Sequence, residues 1–76
     1  MSKLKEDYDE LQKQRDDLYK KQINLYKAMI AGDISKEQRK REHDELQKQR
    51  DILYNMQINL YKAMIAEDEH ISRKHI

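Results

Sequence analysis

Leucine recurs at every seventh position in the first part of the chain, at Leu4, Leu11, Leu18 and Leu25, and the series resumes with Leu46, Leu53 and Leu60. A seven-residue spacing keeps one stripe of an α-helix turned toward a neighbouring helix. Four positions after successive leucines stand Tyr8, Arg15, Gln22 and Met29, and the second stretch places His43, Arg50, Gln57 and Met64 on the same track. The predicted seam is therefore partly polar. Arg15, Gln22, Arg50 and Gln57 either meet in a buried polar layer or lie at the seam's edge with packed stems and solvated heads, and the edge placement is the simpler expectation.

Beside the seam runs a second row, Tyr19, Ile23, Tyr26 and Ile30, matched later by Tyr54, Ile58, Tyr61 and Ile65. An apolar face wider than a strict coiled-coil stripe suits a helix that touches two neighbours at once, as in a four-helix bundle. Tyrosine packs its ring and lets its hydroxyl reach water, which favours a core or dimer-interface role for these residues over a ligand-binding aromatic box.

The pattern predicts an all-α protein of two helices forming a single domain over 1–76. The first helix spans about 3–31. Gly32 stops it, since glycine adopts the left-handed conformation of a helix end without a Cβ clash. The turn covers 32–35, and Ser35 with Gln38 three residues later has the form of a capping box. The second helix spans about 36–68, and the tail 69–76 either extends it or frays. So short a connection predicts an antiparallel hairpin. The alternative is a rod of about 100 Å that keeps Gly32 helical, at a cost of about 1 kcal/mol, and pairs as a long coiled coil.

An internal repeat underlies this arrangement. Residues 9–33 return at 44–68 with 21 of 25 positions identical, at an offset of 35 residues that preserves heptad phase and reads as a duplication. The departures are informative: Asp17, Lys20 and Lys21 correspond to Ile52, Asn55 and Met56. The second helix is the stickier one, so Ile52 and Met56 are candidates for a surface that binds another protein. The candidate oligomer interface comprises Leu11, Leu18, Leu25, Tyr26 and Met29 with Leu46, Leu53, Leu60, Tyr61 and Met64.

Composition narrows the function classes. A hairpin of 76 residues has little interior, so stability is expected to come from association, with two chains supplying four helices as a homodimer. The 16 Lys and Arg nearly balance the 15 Asp and Glu, which leaves no strong overall field to draw nucleic acid or an anionic membrane. Arg39, Lys40 and Arg41 form a local basic run that could touch nucleic acid, but acidic residues interrupt its surroundings and no known DNA-reading motif accompanies it. Cysteine is absent, and no apolar stretch approaches the roughly 20 residues of a membrane span. An intracellular, cytoplasmic setting is expected.

His43, His70 and His75 lack the spacing of a metal site, and no nucleophile stands beside an oriented base. No cofactor and no enzymatic activity are expected. The function expected is that of a small self-associating adaptor or regulatory protein that binds an unidentified protein partner through a helical surface. A nucleic-acid-binding bundle and a purely structural oligomerisation spacer are the alternatives.

Overall fold

The computed structural model describes the backbone of residues 3–74 and the side chains as far as Asp68. Two helices, α1 (Lys3–Ile30) and α2 (Lys36–Lys74), pack against each other as a hairpin, and the described residues contain no strand. The molecule is a narrow slab of 63 × 18 × 13 Å. Neither helix contains proline, and good helix formers such as Lys, Gln, Arg and Glu fill their solvent faces. Lys5 to Asp9 at 3.0 Å, Gln12 to Asp16 at 3.0 Å and Gln47 to Asp51 at 3.0 Å connect successive turns, each adding a few tenths of a kcal/mol.

Chain reversal depends on Gly32, whose φ of +83° lies in the left-handed region. With glycine there, the Asp33 N–H reaches back to the Ala28 carbonyl at 2.9 Å and the Gly32 N–H to the Met29 carbonyl at 3.0 Å. This is the Schellman arrangement, which satisfies carbonyls that a helix end otherwise leaves open. Ser35 then starts α2: its Oγ accepts the Gln38 N–H at 3.1 Å, and its carbonyl accepts the Arg39 N–H at 3.0 Å.

The equivalent of Gly32 in the second segment is Glu67, and there the helix continues to Lys74. Thus α1 ends one residue earlier than the pattern predicts, and α2 extends past 68 into the tail. The continuous rod does not form, because Gly32 leaves the helical region and both capping arrangements close around it.

The helices run antiparallel. Arg15 meets Gln57 and Gln22 meets Arg50, so positions rising along α1 face positions falling along α2. Leu11 is the one described apolar side chain that reaches full burial, at 9% exposure. Gln22 and Gln57 are more buried, at 2% each. The glutamines therefore do not sit at the seam's edge, as the simpler expectation had them. They are central, and Arg15 and Arg50 are half-buried beside them.

Candidate protein interface

Two polar rungs fix the helix pair. In one, Arg15 Nη1 donates to Gln57 Oε1 at 2.7 Å, while Gln57 Nε2 donates to Gln12 Oε1 at 3.0 Å and to the Tyr8 carbonyl at 3.2 Å. In the other, Arg50 Nη1 donates to Gln22 Oε1 at 2.8 Å, while Gln22 Nε2 donates to Gln47 Oε1 at 3.0 Å and to the His43 carbonyl at 3.3 Å. Every residue of the first rung has its equivalent in the second. Each buried amide uses both its acceptor and its donor, the condition under which an interior polar group is tolerated.

The arginine heads also stack on tyrosines. The guanidinium carbon of Arg15 lies 4.6 Å from the Tyr54 ring centre and that of Arg50 lies 4.8 Å from the Tyr19 ring centre. Arg39 repeats the contact on Tyr26 at 4.5 Å, and the same ring meets His43 in a T-shaped arrangement with ring centres 5.5 Å apart. The Nε–H groups of Arg15, Arg39 and Arg50 are buried without a hydrogen-bond partner, so attraction between each cation and its ring offsets part of that desolvation.

Around this seam the hairpin presents two different surfaces. Residues one position to either side of a leucine are about 200° apart on a helix, so Ile52 and Tyr54 flank Leu53 on opposite sides. On one side, Leu18 and Leu53 share a notch with Asp17 and Ile52, while Leu11 and Leu60 share the next with Glu10 and Met56. Leu25 and Leu46 form a third notch with Lys21, Glu42 and Glu45. On the other side, Tyr8, Tyr54, Ile58, Tyr61 and Ile65 line a common depression.

The residues singled out from sequence are divided by this geometry. Leu18, Leu25, Leu46, Leu53 and Leu60 are half-buried, as are Met29 and Met64. Ile52 and Met56 are exposed beside those leucines and do not form a separate surface. Tyr26 and Tyr61 belong to the opposite, tyrosine and isoleucine side, where Tyr19, Ile23, Ile30, Tyr54 and Ile65 are also exposed. The basic run is broken up as well: Arg39 is half-buried on Tyr26, and Lys40 and Arg41 are exposed.

Sequence reasoning did not anticipate the roles of Gln12 and Gln47. A glutamine three residues before each seam arginine was the available signal. Among the described residues, no group of three His, Asp or Glu side chains could hold a metal ion, and no helix is long and apolar enough to cross a membrane. The side chains of His70 and His75 lie outside the described residues. No protein-family model, curated protein or solved structure matches the chain.

Proposed function

We propose that the protein is a self-associating adaptor: two hairpins, each the product of an internal duplication, pair through their tyrosine and isoleucine faces into a four-helix assembly that binds another protein. One observation carries this reading. Among the described residues, nine large apolar or aromatic side chains stand exposed, Ile30 at 80% and Tyr61 at 56% among them, while Leu11 is the one buried hydrophobic residue. Exposed apolar patches beyond a few hundred Å² mark interaction sites.

The area suits a second copy. Four half-exposed tyrosines and their isoleucine neighbours leave roughly 600 Å² per chain, so pairing would remove roughly 1,200 Å², near the lower bound for a stable interface. Symmetry supports the same partner. Tyr19, Ile23, Tyr26 and Ile30 are repeated without change at Tyr54, Ile58, Tyr61 and Ile65. A face nearly superimposable on itself by a half-turn is suited to an isologous contact.

Light scattering across a dilution series tests the reading. The expected mass is twice the 9.3 kDa of one chain, falling to a single chain when Ile23→Asp and Ile58→Asp are combined. A wild-type chain that stays monomeric at high concentration, or a mass that ignores both substitutions, would refute it.

A further inference from the structure

We infer that the leucine groove on the opposite side of the hairpin is a docking site for a basic amphipathic helix of another protein. This rests on the adaptor reading and gives the chemistry of the partner. The three notches are paired leucines, Leu11 with Leu60, Leu18 with Leu53, and Leu25 with Leu46, one heptad apart. That spacing is about 10.5 Å along the axis, so a helix laid lengthwise with a large apolar residue at every second turn would fill them in succession.

Charge identifies the occupant. The residues lining the notches include Asp7, Glu10, Asp17, Glu42 and Glu45 against Lys21 alone. Asp7 pairs with Lys3 at 3.5 Å, whereas the other four carboxylates make no ion pair or hydrogen bond among the described residues. A groove with an apolar floor and acidic banks attracts a helix whose leucine-like stripe is flanked by Lys or Arg, and it repels an acidic one.

A second copy is the wrong occupant here because of its charge. Its own groove carries the same acidic banks. Two grooves face to face would bring Glu10, Asp17, Glu42 and Glu45 of both copies together, so like-charge repulsion disfavours that pairing.

The probes are two labelled synthetic peptides of about three heptads with the same leucine stripe, one flanked by Lys and Arg and the other by Glu, titrated against the full chain by fluorescence anisotropy. The basic peptide should bind at least about tenfold more tightly, with the preference shrinking as salt rises. Two variants act on separate parts of the groove. Ile52→Asp with Met56→Lys installs the residues that α1 already tolerates at equivalent positions, and Asp17→Lys with Glu45→Lys reverses unpartnered surface charges. Each should weaken the basic peptide at least about tenfold, and the second should reverse the preference.

Equal binding of both peptides, no binding, or indifference to both variants overturns the inference. Chain mass recorded on the same samples separates it from the self-association reading. A monomer that prefers the basic peptide refutes pairing through the tyrosine face but leaves the groove assignment standing. A dimer that dissociates on Ile52→Asp with Met56→Lys places a second copy in the groove and overturns the assignment.

Discussion

Gln22 and Gln57 stand in equivalent environments at 2% exposure, each accepting from the arginine of the facing helix and each donating to a glutamine and a main-chain carbonyl of that same helix. A hairpin with so little apolar interior is thus held in register by amides. Leucines alone would allow the helices to slip by a heptad and find leucine again, but a slipped Arg15 would leave Gln57 without its donor.

Gln57→Ala removes the acceptor of Arg15 and the partner of both Gln12 and Tyr8. The expected loss is about 2 kcal/mol, the usual cost of leaving a partly buried polar group unpaired. Replacing the pair together, Arg15→Leu with Gln57→Leu, should restore stability to within about 1 kcal/mol of the parent, because no unpaired charge remains. Urea denaturation at fixed protein concentration measures both. A single variant as stable as the parent would show that the rung contributes nothing.

Gly32→Ala forces a Cβ into the left-handed region. No atom lies within 4 Å of that Cβ, so the cost is conformational alone, about 1 kcal/mol. Gly32→Asn should lose roughly half as much, since asparagine tolerates this conformation better. Thermal melts of the two variants give the ranking, and equal melting temperatures would contradict it.

Ser35→Ala deletes the acceptor for the Gln38 N–H and should cost about 1 kcal/mol, while Ser35→Asp should cost little, because aspartate caps equally well. Amide exchange at Gln38 reports the effect locally, with faster exchange in the alanine variant alone.

Arg50→Lys keeps the charge but loses the planar head that both stacks on Tyr19 and donates to Gln22. A loss of about 1 kcal/mol is expected, and Tyr19→Leu in the same background should add little, since the ring contact has already been lost. A double-mutant cycle on these residues that returns zero coupling would remove the stacking contribution.

The hairpin was legible in the chain because its decisive signals are local: Gly32 where the heptads pause, Ser35 immediately before they resume, and no proline to interrupt either helix. The buried rungs were not legible in the same way. A glutamine on a seam track has the same periodicity whether it faces a partner or solvent, and only the register of the two helices brings Gln22 opposite Arg50. The separation of the two faces was partly hidden for the same reason. Leu25 and Tyr26 are neighbours on one helix and read as one broad stripe, but packing against α2 brings the leucine into the groove and leaves the tyrosine on the other side.

Each helix carries both halves of the fastening: Arg15 and Gln22 in α1, Arg50 and Gln57 in α2. Nothing in the contacts themselves therefore distinguishes a partner in the same chain from one in another molecule. What selects the intramolecular pair is the short Ala31–Ser35 connection, which holds the second helix at an effective concentration in the millimolar range. Crowding the chains to comparable densities, or straightening the link, would let helices exchange between molecules with every rung re-formed, so that closed pairs and open chains become competing products of one sequence.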